Sequence, residues 1–496
     1  MKNIIKYFKM QGFKLCAVAV ILAIGFSFAS CASGADNASV KYSGTIEKVA
    51  ISPNNTVIVK GDYWVLRAVV TGTEKPSQTV TWSIEEDNKA SGTAIDSSGK
   101  LTIASDETLS SITIKAVSIL DKEKSATTTV KIIDNPAFSE KQPFNDITAT
   151  QLVAGITIGW NLGNTLDSGA NMYNTLTALQ LETRWIGVIR ATTQKTIDTL
   201  KEAGFNAIRI PVTWHKAMDK DYHIRSDFMA RVTEIVNYAV ASDMYILLNT
   251  HHDEEIFKYM SASKEASFKA FETVWRQIAE NFKNYNEKLV FEALNEPRTI
   301  GLSTEWMGGT LLERMILNEH YQLFVDTVRK TGGNNDKRIL MVNTYAASTN
   351  MLAVNGLVIP KDTVPDKIIA SVHAYAPFNF AQNGRDGSTA RWDETNVNQT
   401  AAVNYVFNVT HGKFIVNGIP VIIGEFGALD RNNEEARAAW AKYYVSQARY
   451  RGIKCFLWDN NVSDPNGELY GFFERRDNTF RFPLYLQGLM EGAGVR

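Results

Sequence analysis

Lys288-Leu289-Val290-Phe291-Glu292-Ala293-Leu294-Asn295-Glu296-Pro297 sets a short apolar run directly against a cluster of polar residues. A run of this length bounded by turn-forming residues reads as a strand buried on both faces. Seven more runs share the design, at residues 155–160, 207–211, 244–248, 338–342, 368–372, 420–423 and 452–458. Helical patterns separate most of them. Phe228, Val232, Ile235, Val236 and Ala239 fall on one helical face, as do Phe268, Phe271, Val274, Trp275, Ile278 and Phe282. Ala203-Gly204 and Thr331-Gly332-Gly333 stop helices where a C-terminal glycine is expected. The interval 343–367 is short for a full helix. Eight strand–helix units in roughly 350 residues predict an α/β fold, a (β/α)8 TIM barrel. The rival is a doubly wound open sheet. It wants Gly-x-Gly-x-x-Gly after its first strand, and Gly159-Trp160-Asn161-Leu162-Gly163-Asn164 lacks that spacing.

A barrel of this kind works at the carboxyl ends of its strands, and the polar residues fall there. Asn161 to Asp167 end the first strand, with Asn164 among them. Arg209 lies in the second, and His251, His252 and Asp253 end the third. Asn295 and Glu296 end the fourth, His373 and Tyr375 the sixth, Glu425 the seventh and Trp458 the eighth. Three of the chain's seven histidines belong to this set, which favours one polar mouth over chance scatter. Glu296 and Glu425 could converge across it. Two carboxylates about 5–5.5 Å apart suit retaining glycoside hydrolysis, and about 6.5–9.5 Å inversion. Arg209 would keep Glu425 ionised as nucleophile, Asn295 would bond a sugar 2-hydroxyl, and His373 and Tyr375 would orient the nucleophile and tune protonation. Trp458 offers a flat apolar face to a pyranose ring. Each residue has a blander reading. Asn295-Glu296-Pro297 and Gly424-Glu425-Phe426-Gly427 could be ordinary turns, Arg209 an internal structural charge, and Trp458 core. His251-His252-Asp253 could hold a metal, but adjacent residues at a strand end point to opposite faces, which disfavours two histidines on one ion. The two-carboxylate chemistry needs no metal and no cofactor. What favours function is the co-occurrence, one residue type at each strand end.

The 496 residues carry 52 Lys plus Arg against 53 Asp plus Glu, a net charge of -1, so no global basic field exists to attract nucleic acid. Residues 1–31 read as an export signal: Lys2, Lys6, Lys9 and Lys14, then an apolar run at 15–28, too short for a comfortable membrane span. Phe28-Ala29-Ser30-Cys31 resembles a bacterial lipobox, which would make Cys31 the lipidated residue of an exported, cell-surface or outer-membrane lipoprotein. The alternative is a periplasmic or secreted protein cut by an ordinary signal peptidase. Cys16, Cys31 and Cys455 are the only cysteines, so a lipidated Cys31 leaves the mature chain no disulfide. Residues 32–45 suit a flexible tether, 46–134 a β-sandwich of about seven short strands, 135–146 a short semi-rigid connector with Pro136 and Pro143, and 147–496 the barrel. Trp82 is expected to be the core tryptophan of the sandwich.

Val80-Thr-Trp-Ser83, Ile95-Asp96 and Gly99-Lys-Leu-Thr102 resemble the bacterial immunoglobulin-like group 2 domain, a spacer or adhesion module. The second body resembles glycoside hydrolase family 5. The motifs are Gly159-Trp-Asn-Leu-Gly-Asn-Thr-Leu-Asp167, Gly204-Phe-Asn-Ala-Ile-Arg-Ile-Pro-Val-Thr-Trp214, Leu248-Asn-Thr-His-His-Asp253, Phe291-Glu-Ala-Leu-Asn-Glu-Pro297, His373-Ala-Tyr-Ala-Pro377, Ile423-Gly-Glu-Phe-Gly427 and Leu457-Trp-Asp-Asn460. The opening and closing motifs are most similar to subfamily 4, which holds endo-β-1,4-glucanases, lichenases and xyloglucanases. The resemblance implies that Glu296 is the acid/base and Glu425 the nucleophile. Arg209, His251, Asn295, His373 and Tyr375 match the rest of the site. Trp458 matches the sugar platform before the cleavage point, and Asn164, Asp167 and His252 match contacts further along the non-reducing side. Around Trp185 the loop departs from the subfamily's Trp-Gly-Asn-Pro, which leaves the outer subsites unassigned. Together these imply a monomeric, endo-acting β-1,4-glucan hydrolase whose partner is a β-glucan polysaccharide or oligosaccharide, touching a membrane only through its anchor. A β-mannanase, an exo-glucosidase or a non-catalytic glycan-binding lipoprotein are the alternatives. Segment 376–400, with Phe378, Phe380, Arg391 and Trp392, is expected to form a lip of the cleft.

Overall fold

Alternation of side chains along a strand decides what each strand residue faces. In the computed structural model, which describes residues 44–54, 56–168, 176–184, 190–464 and 468–495, eight strands pair in parallel and close into a barrel in chain order. They are β1 (Gly159–Asn161), β2 (Ala207–Ile210), β3 (Tyr245–Asn249), β4 (Leu289–Glu292), β5 (Leu340–Asn343), β6 (Ile368–His373), β7 (Val421–Phe426) and β8 (Lys454–Leu457). Ile208, Leu248, Phe291, Val342, Val372, Ile423 and Leu457 point outward and pack with the surrounding helices. Ala207, Leu247, Val290, Met341, Ile369, Ile422 and Phe456 point inward and form an apolar lower layer. Two residues further on, the inward positions turn polar: Arg209 above Ala207, Glu292 above Val290, Asn343 above Met341, Ser371 above Ile369. The barrel interior is thus greasy below and charged above, which puts the site at the expected end.

The first strand differs from the 155–160 expectation. Residues Ala149–Gly155 form a helix, opened by a capping box between Thr148 and Gln151. Leu152, Val153 and Ile156 join the lower inner layer, so this helix plugs the amino-terminal end of the barrel. The strand begins only at Gly159, where a Cβ would stand 2.1 Å from the Phe456 ring. The helix in the short interval before β6 is a single piece, Met351–Gly356. Both predicted apolar faces are buried in helices Ser226–Ala241 and Lys264–Phe282, with Phe268 partly so. Gly204, at φ 115°, closes helix Gln194–Ala203 as expected.

Ahead of the barrel stands a small all-β body. A four-stranded sheet (Val57–Val59, Ser125–Ile133, Ser111–Ser118, Val80–Ile84) accompanies a three-stranded one (Tyr63–Val65, Lys100–Thr102, Ala94–Ile95) and the pair Ile46–Ser52 with Arg67–Gly72. Its buried tryptophan is Trp64, 3% exposed, and not Trp82. Trp82 lies on an edge strand and is only partly buried, against Gly99. This body touches the barrel directly. Val59 N–H donates to Ser226 Oγ (3.0 Å), Tyr63 stacks on His223 (4.1 Å), and His223 Nε2 lies 3.0 Å from Asp62 Oδ1.

The connector is lashed down along its length. Asn237 Nδ2 donates to Pro136 O and Asn284 Nδ2 to Phe138 O, Asn145 binds Glu287, and Asp146 pairs with Lys337 and Lys367. It runs along the wall to the plug. Cys16, Cys31, nearly all of the tether and Trp185 lie outside the described residues. Cys455 is buried and free, its thiol pKa pushed up by burial. Among the described residues no helix is long and apolar enough to cross a membrane.

Candidate active site

Arg209 sits at the centre of the upper layer, fully buried. A guanidinium has five N–H donors in a fixed fork, and all five are used. Nε and one Nη2 hydrogen go to Glu292 (2.6 and 3.1 Å), the other Nη2 hydrogen to Asn295 Oδ1 (2.8 Å), and the Nη1 pair to Asn161 Oδ1 (3.0 Å) and Glu425 Oε1 (2.8 Å). Burial alone would drive the proton off Arg209, but Glu292 and Glu425 outweigh it and hold its pKa above the ordinary value. Because Asn295 accepts through Oδ1, its amide hydrogens are not used on Arg209. Asn343 Nδ2 braces the same network from β5, donating to Glu292 Oε1 and to the Asn295 carbonyl.

Glu425 ends β7 at an irregularity. The register shifts on both sides of it, against β6 and against β8, which re-aims a side chain as a bulge does. Gly424 permits this, since a Cβ there would meet His373 Nε2 at 3.0 Å and Ser371 Oγ at 3.1 Å. Glu425 Oε2 accepts from the Tyr375 hydroxyl (2.9 Å). Glu296 approaches from β4. His373 Nδ1 lies 3.0 Å from Glu296 Oε1 and 3.6 Å from Glu425 Oε2. A carboxylate oxygen of each glutamate lies within 4.8 Å of the other. Burial would raise the Glu296 pKa, but His373, Arg298 and His252 together hold it below the ordinary value.

The remaining predicted residues gather on one flank. His251 and Trp458 lie parallel with ring centroids 5.9 Å apart. Trp458 is 9% exposed and packs with Leu429, Tyr470 and Tyr375. Burial, then the positive charges of His252, Arg209, His373 and Lys216, keep His251 neutral, its pKa well below the ordinary imidazole value. Asp167 is buried beneath His251 and accepts the backbone N–H groups of Asn164 and Thr165, so it shapes the loop after β1. Asn164 is held there at φ 52°. His252 is half exposed and 3.6 Å from Glu254, whose negative charge, with that of Asp167, outweighs burial and raises the imidazole pKa. The two histidines do not face apart as the strand argument expects. Their rings meet edge-on at 4.4 Å, because the chain leaves β3 at Asn249, before either of them. In segment 376–400, Phe378 is 60% exposed, but Phe380 is buried and Trp392 packs against it and Tyr443.

Sequence reasoning missed Glu292, Asn343 and Lys216. Lys216 is buried, donates to the Asp167 and Ser168 carbonyls, and has its pKa lowered to about 8 by burial, against the pull of Asp167, Asp253 and Glu254.

Comparisons with known proteins point to one family. A family profile described as Cellulase (glycosyl hydrolase family 5) matches residues 167–464. Endoglucanase B of Neocallimastix patriciarum is 41% identical over 355 residues, covering 70% of this chain and 72% of that protein. A broad-specificity endoglucanase of subfamily GH5-4 from Ruminococcus champanellensis, solved with bound cellotriose, superposes with TM-score 0.67 at 41% identity, covering 70% of this chain and 100% of that one. A xyloglucan-specific endo-β-1,4-glucanase from a metagenomic library, in complex with cellotriose, superposes with TM-score 0.64 at 37% identity, over 70% and 98% of the two chains.

Proposed function

The chain belongs to glycosyl hydrolase family 5, and from that premise we propose that it is a retaining, endo-acting hydrolase of β-1,4-glucosidic bonds in β-glucans. The observation that carries the mechanism is the approach of Glu296 and Glu425 to within 4.8 Å. So close an approach of one oxygen of each carboxylate favours the retaining separation of about 5–5.5 Å over the wider inverting one of about 6.5–9.5 Å. Glu425, paired with Arg209 and Tyr375, attacks the anomeric carbon. The bond from that carbon to the glycosidic oxygen breaks as Glu296 gives the oxygen its proton. Glu296, now ionised, takes a proton from water, whose oxygen displaces Glu425 and restores both carboxyl groups. On this reading the Asn295 amide bonds the sugar's 2-hydroxyl, and Trp458, stacked parallel to His251, walls the ring before the broken bond.

The test is an assay of reducing-sugar release on cellulose, mixed-linkage glucan, xyloglucan and mannan, with the fresh anomer read by NMR. Release from the glucans as β-anomer, and its loss in folded Glu425→Gln and Glu296→Gln, is expected. A first-formed α-anomer, activity confined to mannan, or appreciable turnover in either variant overturns the reading. The same proposal extends to the amino end: export, lipidation of Cys31, and a β-domain of immunoglobulin-like type acting as spacer. The lipobox-like Phe28-Ala29-Ser30-Cys31 supports it. Metabolic labelling with a radiolabelled fatty acid, lost in Cys31→Ser, checks it.

A further inference from the structure

Asn249 is the last residue of β3, two positions past the inward-facing Leu247, and it is fully buried. The N–H of Val212, just past β2, donates to Asn249 Oδ1 (3.1 Å). A backbone N–H can only donate, so the atom it meets is the amide oxygen, and the other amide atom is the NH2 group. That Nδ2 lies 3.2 Å from His251 Nδ1. The surrounding backbone is pinned as well. The Trp214 indole N–H donates to the Asn249 carbonyl (2.9 Å), and the His251 N–H to the Val212 carbonyl (2.8 Å). The Asn249 amide cannot turn over without setting its NH2 group against the Val212 N–H.

An NH2 group also only donates, so His251 Nδ1 has to accept and carries no hydrogen. His251 is neutral, and a neutral imidazole holds one hydrogen, which then sits on Nε2. The other end of the ring agrees. Nε2 lies 3.9 Å from Asp167 Oδ2, where the carboxylate would repel a lone pair and attracts an N–H. That distance is too long for a hydrogen bond, so the Nε2 hydrogen is not used on Asp167. The ring stands parallel to Trp458. We propose that Asn249 is a positioning residue that fixes His251 as the Nε2–H tautomer, a hydrogen-bond donor toward a hydroxyl oxygen of the sugar held against Trp458. The donor role rests on the hydrolase reading above; the tautomer does not.

Neutron diffraction from crystals of the deuterated protein near neutral pH reads the tautomer directly. A deuteron on His251 Nε2, none on Nδ1 and two on Asn249 Nδ2 are expected. A deuteron on Nδ1, alone or beside one on Nε2, overturns the assignment. Asn249→Asp keeps the shape but sets an acceptor opposite Nδ1, so a deuteron should appear there, and a bare Nδ1 in that variant also overturns it. Asn249→Leu offers Nδ1 nothing and should lower kcat/KM for cellotetraose about tenfold, whereas a folded variant within about twofold of the parent overturns the positioning role. The donor role is read with cellotetraose bound to Glu425→Gln. The Nε2 deuteron should point at a sugar oxygen roughly 2.7–3.2 Å away, and a sugar seated against Trp458 with no oxygen within roughly 3.5 Å of Nε2 overturns that role. Failure to bind cellotetraose at all strikes the hydrolase reading, and the donor role with it, while the tautomer stands.

Discussion

Arg298 illustrates how one residue can set a working pH. A cation 3.5 Å from the Glu296 carboxylate favours its charged form, and Glu296 is held below its ordinary pKa. On the proposed mechanism Glu296 must carry a proton to act as acid, and kcat/KM reports the free protein. The alkaline limb of kcat/KM should therefore lie at acidic pH. Arg298→Met removes a cation, raises the Glu296 pKa, and should move that limb to higher pH. A limb that stays in place, or moves to lower pH, would contradict this charge assignment. At this scale the sequence was partly legible. Glu296, Glu425 and Arg209 announce themselves as polar residues at strand ends. Glu292 and Asn343 do not, because each simply closes an apolar run. The signal that finds them is register: Glu292 follows Val290 by two, as Arg209 follows Ala207, so alternation puts opposite charges at one level inside the barrel.

Among elements, the plug helix Ala149–Gly155 shows where periodicity fails. Seven residues are too few to display a helical face, and the apolar run that continues past Gly155 reads as one strand. The Thr148 and Gln151 capping pair was the available sign. Its burial has a measurable consequence. Leu152 is 0% exposed and faces the lower inner layer, so Leu152→Ala should cost about 2–5 kcal/mol in denaturant unfolding while the distant mouth keeps its kinetics. A loss below about 1 kcal/mol would mean the helix is not a structural floor. The longer helices were legible because three or four turns display a full stripe. The sandwich strands were legible as a texture, but Trp64 and Trp82 both alternate correctly. Only knowing which strand lies at the sheet edge separates core from border.

At the scale of the molecule, the amino-terminal body and the barrel meet through His223 and Asp62, with Tyr63 stacked on the imidazole. Burial lowers the His223 pKa, but Asp62, then Asp219, outweigh it, so the folded value is raised above 6.5. A raised value means the contribution is whole below the unfolded pKa of about 6.5 and lost as pH rises through the folded value. Asp62→Asn should therefore destabilise the protein most at acidic pH, with the deficit shrinking toward alkaline pH. Unfolding curves at several pH values would show it, and a pH-independent deficit would contradict the pairing. Nothing in the sequence reveals this joint, since His223 and Asp62 belong to runs with no shared pattern. The connector from 135 to 146 adds the second half. With one grip near the start of helix Ser226–Ala241 and another spread along the connector to the plug, the smaller body is tied to the barrel at two separate places. Whatever holds that body thereby aims the cleft, as a bracket bolted twice dictates the bearing of the lamp it carries.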